Sequence, residues 1–110
     1  MIFDKEGTTT LVYQEKTSLP RFIDNLAKAY PGMKNDNLII NLFSFRKLST
    51  GDLLEFLHLS NAHKAGGRSF VLVTDLISYE DVPDEISLVP SLQEARDLIE
   101  MEEIERDLDL

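Results

Sequence analysis

Two short apolar runs, LIINL at 38–42 and FVLV at 70–73, constrain this chain more than any other feature. Neither alternates cleanly between apolar and polar residues. Each therefore reads as a strand buried on both faces, the pattern of a parallel sheet covered by helices. The segment between them has helical spacing over 50–64 and closes on Gly66-Gly67, a glycine helix end. A strand–helix–strand unit of this length places its two strands parallel, with a right-handed crossover. The loop in its middle, 45–52, holds Ser49 and Thr50 just before the helix. In a small α/β module, function concentrates in such a loop.

The flanking segments extend the same architecture. Residues 1–5 and 8–13 read as two antiparallel strands joined by a tight turn at Glu6-Gly7. Ser18 caps a helix that runs to about Tyr30, with Phe22, Ile23, Leu26, Ala27 and Tyr30 on one apolar face. Pro20 falls in its first turn, where a missing N–H costs little, and Pro31-Gly32 ends it. Pro83 and the nearby acids make 75–87 a loop with room for one helical turn, and Leu88-Val89 supplies a short last strand. Ser91 and Glu94 form a capping box at the start of a final helix whose apolar face is Leu92, Ala95, Leu98 and Ile99. The order is ββαβαβ(β)α, an α/β fold with a mixed sheet. A chain of 110 residues is enough for one compact domain.

Charge narrows the function classes. Eleven Lys+Arg against twenty Asp+Glu give a net charge of −9, so a basic face for nucleic acid is hard to build. An anionic membrane surface is disfavoured for the same reason. No apolar run approaches the roughly 20 residues of a membrane span. The opening MIFDKEG does not resemble a secretory signal, so the expected location is cytoplasmic. The absence of cysteine excludes disulfides, thiolate catalysis and Cys-based zinc sites. The acids cluster at the end: Glu100, Glu102, Glu103, Glu105, Asp107 and Asp109 face only Arg106. Ile104 and Leu108 lie four residues apart, so the last helix can continue through this segment with a thin apolar stripe.

Individual residues have sharp and plain readings. Ser49 or Thr50 can simply cap the helix, or Thr50 can accept a phosphate. No base stands beside either in sequence, so a catalytic nucleophile is not expected. His58 and His63 are five apart, on different sides of a helix, and read as surface histidines and not as a metal pair. The core stripe of this helix is Leu53, Leu54, Leu57 and Asn61. Phe56, Leu59 and His63 then lie on a second stripe, about 100° away. That stripe is either an exposed contact surface or is covered by the preceding helix or the tail. Asp81, Asp84 and Glu85 lack the alternating ligands of a calcium loop, and Gly66-Gly67 ends a helix, so it is no phosphate cradle. No cofactor is expected.

The central stretch and the last helix together resemble a STAS domain, the module of bacterial anti-sigma factor antagonists and of sulfate-transporter tails. The likeness rests on LIINL leading through a loop into a helix with Leu53, Leu54 and Leu57; on the glycine turn and strand HKAGGRSFVLV; on VPSLQEARDLI as terminal strand and helix; and on the two opening strands with the helix after them. It covers about 1–101, leaving 102–110 as an acidic extension of the last helix. It implies a single α/β domain with helices mainly on one face of a mixed sheet. The close, PSLQEARDLIEMEEIERDLDL, resembles small stand-alone bacterial members with an acidic last helix, some of which accompany ribonuclease Z.

The resemblance also implies a role. Phosphorylatable STAS domains place an Asp-Ser-Ser-Gly-like motif where the loop meets the helix. The matching positions here read Ser49, Thr50, Gly51 and Asp52. Thr50 falls on the phosphorylated position, and Ser49 replaces the Asp before it. The implied function is a non-enzymatic signalling module that docks a protein partner, an anti-sigma factor or a kinase-like regulator, through the 45–52 loop and the 50–64 helix. Phe45, Arg46, Lys47, Asp52, Phe56, Leu59 and His63 would then touch the partner, with Thr50 or Ser49 as phosphoacceptor. The alternatives are an accessory protein of ribonuclease Z and a small-ligand-binding domain. The latter would use the carboxyl ends of the strands, at 43–47 and Thr74-Asp75. An enzyme is the weakest option, since no acid–base pair is visible.

Overall fold

The computed structural model describes residues 1–108. The chain builds β1 (Ile2–Glu6), β2 (Thr9–Tyr13), α1 (Leu19–Ala29), β3 (Asn37–Asn41), α2 (Thr50–Leu54), α3 (Leu57–Ala65), β4 (Phe70–Val73), β5 (Ser87–Val89) and α4 (Leu92–Leu108). Short 3-10 turns at Tyr30–Gly32 and Tyr79–Asp81 complete it. The strands form one five-stranded sheet whose spatial order is the chain order. The β1–β2 pair is antiparallel, and the other three pairs are parallel. The two apolar runs are the central strands β3 and β4, and Leu38, Ile39, Ile40 and all of β4 are buried. The first hairpin turns on Gly7, whose φ of +59° suits glycine at the first central position of a tight turn.

Sheet order explains where the helices go. When parallel strands are added always on the same side, crossovers of one hand fall on one face of the sheet. Three crossovers do so here. Phe22 and Leu26 of α1, Leu53 and Phe56 of the α2–α3 segment, and Val82 and Ile86 of the β4–β5 connection share one core with Val12, Leu38, Ile40, Phe70 and Leu72. Only α4, which follows the last strand and crosses to none, lies on the other face. Its Ala95 and Ile99 pack on Ile39, Val71 and Val73. The mixed sheet with helices mainly on one face is thus the observed architecture.

Capping follows the sequence closely at three helices. Ser18 Oγ accepts from Arg21 N at 3.3 Å, and Ser91 Oγ accepts from Glu94 N at 3.2 Å. Ser49 and Asp52 form a reciprocal box: Asp52 N donates to Ser49 Oγ at 3.1 Å, and Ser49 N donates to Asp52 Oδ2 at 2.9 Å. Gly67 has φ +87° just past the end of α3, the left-handed conformation that closes a helix.

One expected element differs. The helix over 50–64 is two helices, α2 and α3, broken at Glu55-Phe56. Across the break the hydrogen bonds span three residues, Glu55 N to Asp52 O at 3.2 Å and Phe56 N to Leu53 O at 3.1 Å. A 3-10 turn winds about three residues per turn instead of 3.6, so it advances the phase of everything after it. Leu53 is followed inward by Phe56, not Leu57, and the stripe continues to Ser60 and His63. Leu54, expected inside, is 42% exposed. Asn61, also expected inside, is exposed.

Candidate functional site

The 42–56 segment leaves the carboxyl end of β3 and is held from below. Leu42 N donates to Val73 O at 2.9 Å and Phe43 N to the Asn41 side chain at 2.9 Å. Ser44 Oγ donates to Gln14 O at 2.7 Å, tying this loop to the one after β2. Phe45 is half-buried with its ring centroid 5.7 Å from that of Phe22. Phe45 and Leu48 therefore anchor the loop, while Arg46 and Lys47 between them stand exposed. Between 38 and 51 these two cations are the only charges, a small basic surface on an acidic protein.

The capping box then fixes the turn into α2. Ser49 Oγ is engaged by Asp52 N. Thr50, in the first turn of α2, is exposed, and among the described residues no side-chain hydrogen bond engages its hydroxyl. Next to it α2 presents Leu54 and Glu55, and a shallow groove lined by Leu19, Pro20, Ile23, Asp52 and Glu55 separates α2 from the start of α1. The face thus combines a capped turn, two cations, one hydroxyl without a side-chain hydrogen bond and the exposed Leu54.

The structure places Phe45, Arg46, Lys47, Ser49, Thr50 and Asp52 in one segment, buries two of the other three expected contact residues, Phe56 and His63, and half-buries the third, Leu59. Phe56, expected on an exposed stripe, is 1% exposed with its ring 6.4 Å from Phe22. The 3-10 turn puts it into the core, so it supports the loop from beneath. Leu59 is half-buried against the same core. His63, expected at the surface, is 1% exposed. It lies at the far end of α3, beside Asp36, which precedes β3 and so sits at the opposite end of the sheet from the loop. Its Nε2 is 2.7 Å from the Asp36 carbonyl and its Nδ1 is 2.7 Å from Tyr30 Oη. A carbonyl only accepts, so Nε2 carries the hydrogen and Nδ1 receives the Tyr30 hydroxyl. Burial lowers the His63 pKa from 6.5; the bond to Asp36 opposes the shift, and the charge of Arg68 adds to it. Burial also raises the Tyr30 pKa. A neutral imidazole with both nitrogens occupied is a structural tie, with no lone pair left for a metal or a proton relay.

Leu54, placed in the core stripe by the sequence, is instead exposed beside Thr50. Its signal was present: Ser49-x-x-Asp52 marks a box, and Leu53 and Phe56 are three apart. The carboxyl edge expected for a small ligand is divided. The 43–47 loop folds down onto Phe22 and Gln14, whereas a separate groove beyond β4 and β5 is lined by Asp75, Ile77, Ser78, Tyr79, Leu88, Val89 and Pro90. No helix of the described residues is long and apolar enough to cross a membrane.

A chain-ordered sheet with one antiparallel edge, three crossovers on one face and a last helix on the other is a STAS-like fold. Among solved structures the chain is similar to a serine-to-glutamate variant of RsbS from Moorella thermoacetica, a STAS-domain anti-sigma factor antagonist. The match has a TM-score of 0.62 at 16% identity and covers 90% of this chain and 93% of that one. No protein-family model matches the sequence, and no curated protein matches it.

Proposed function

We propose that this chain is a non-catalytic, cytoplasmic regulatory module that docks a protein partner through the surface formed by Arg46, Lys47, Thr50 and Leu54, and that Thr50 is its phosphoacceptor. The observation that carries the reading is the state of the capping box. It engages the Ser49 hydroxyl and the Asp52 carboxylate and leaves the Thr50 hydroxyl free in a capped, exposed turn. A phosphate on Thr50 would add about −1.5 to −2 charges beside Arg46 and Lys47. It would cancel the positive charge of the only basic part of the loop. A partner recognising the basic, apolar face would lose it on phosphorylation. The likeness to RsbS supports a partner of the anti-sigma or kinase-like regulator type.

Intact mass spectrometry of the protein from its native host, with affinity capture by wild type and two variants, tests this. The expected result is a one-phosphate species absent from Thr50→Ala, and a captured partner lost with Leu54→Asp. Capture indifferent to Leu54→Asp and to Thr50→Glu would refute the docking face. A phosphate mapped elsewhere would refute Thr50 as the switch.

A further inference from the structure

The outer face of α4 presents a second surface, across the sheet from the docking loop. The packing of Ala95 and Ile99 fixes which side of α4 meets the sheet. Arg106 points inward too, donating to Ser69 Oγ at 3.1 Å and to Asn37 Oδ1 at 3.2 Å. The opposite side carries Met101, Ile104 and Leu108, which are 58%, 53% and 81% exposed. Spacings of three and four residues align them in one ridge about 10 Å long. At about 100° per residue, Glu100 and Asp107 fall on one flank of the ridge and Glu94 and Glu105 on the other. All four are exposed.

This pattern selects its occupant. An apolar ridge left in water favours an apolar partner. The carboxylates on both flanks reject a second copy of the same ridge and an anionic bilayer, because each would oppose like charges. Arg106 is turned away, and the exposed Arg96 beside Glu100 offsets only one of the four carboxylates, so the rim stays net acidic. A helix with apolar residues at i, i+3 or i+4, and i+7, flanked by Lys or Arg, matches both the ridge and its rim. We propose that the outer face of α4 docks a basic amphipathic helix of a partner protein, seated on Met101, Ile104 and Leu108 and paired with Glu94, Glu100, Glu105 and Asp107.

The whole chain, titrated with a synthetic amphipathic helix of leucine and lysine, tests the ridge directly. The expected result is saturable binding with amide shifts in the NMR spectrum concentrated on α4. Ile104→Ser with Leu108→Ser should weaken it about tenfold or more, the loss of one or two apolar anchors. Both side chains are exposed, so circular dichroism should report an unchanged fold. Asp81→Asn with Asp84→Asn removes charge away from α4 and should change affinity less than about twofold, as a rim charge off the interface does. Absence of saturable binding, equal binding of a sequence-scrambled peptide, or unchanged affinity in the ridge variant would each overturn the proposal.

Discussion

The Tyr30 hydroxyl and His63 Nδ1 lie 2.7 Å apart, with their rings edge to face at a centroid distance of 5.4 Å. The other imidazole nitrogen reaches the Asp36 carbonyl. Asp36 in turn accepts from Thr10 Oγ1 at 2.9 Å and pairs with Lys5 Nζ at 3.3 Å. One histidine therefore ties the ends of α1 and α3 to a residue that also holds β1 and β2.

This tie makes stability depend on pH. The folded-state pKa of His63 is lowered from 6.5, so the fold favours the neutral ring and the unfolded chain binds the proton more readily. The contribution is fully present above pH 6.5 and is lost as pH falls below that value toward the folded pKa. Urea midpoints measured across this range should fall with acidification. In His63→Leu that part of the slope should vanish; an unchanged slope would show that other groups carry it.

Phe56 and Leu54 should behave oppositely. Phe56→Ala empties a core site against Phe22 and is expected to cost about 3–5 kcal/mol in chemical denaturation. Leu54→Asp changes an exposed site and should stay within about 0.5 kcal/mol. Equal effects would contradict the placement of the 3-10 turn.

Ser49 and Thr50 separate in the same way. Ser49→Ala breaks the capping box and should cost about 1 kcal/mol. Thr50→Ala removes a hydroxyl that caps nothing and should leave the urea midpoint close to wild type.

Arg106 anchors the end of α4 to two buried polar groups, Ser69 and Asn37. Arg106→Ala leaves them without that donor and should destabilise by about 1–3 kcal/mol. Hydrogen exchange should rise most in the last two turns of α4. Uniform exchange along the helix would argue against an anchor at this point.

Much of the fold was legible because the signals were local. The uninterrupted apolar strands fixed the parallel centre, and Ser18, Ser49 and Ser91 marked helix starts through their own hydrogen bonds. The phase of the segment after Thr50 was not legible by uniform 3.6-residue counting. A single 3-10 turn shifts it and seats Phe56 against Phe22, a contact between residues far apart in sequence. His63 was hidden for a related reason. Its partners, Tyr30 and Asp36, precede it by 33 and 27 residues and meet it only once the sheet has formed. On α4 the continuation of the helix was readable from Ile104 and Leu108, and the structure turned their stripe outward. The last acid of that segment, Asp109, lies outside the described residues.

The sheet's chain-ordered layout has a consequence for synthesis. Each strand pairs with the strand made just before it, so no strand waits for a later neighbour, and the sheet can grow one strand at a time as the chain leaves the ribosome. Only α4 comes too late for this. Until it arrives, Ile39, Val71 and Val73 have nothing over them. A chain stopped after Val89 should bind a hydrophobic dye that the chain extended through α4 does not, because α4 is what shields this face from chaperones.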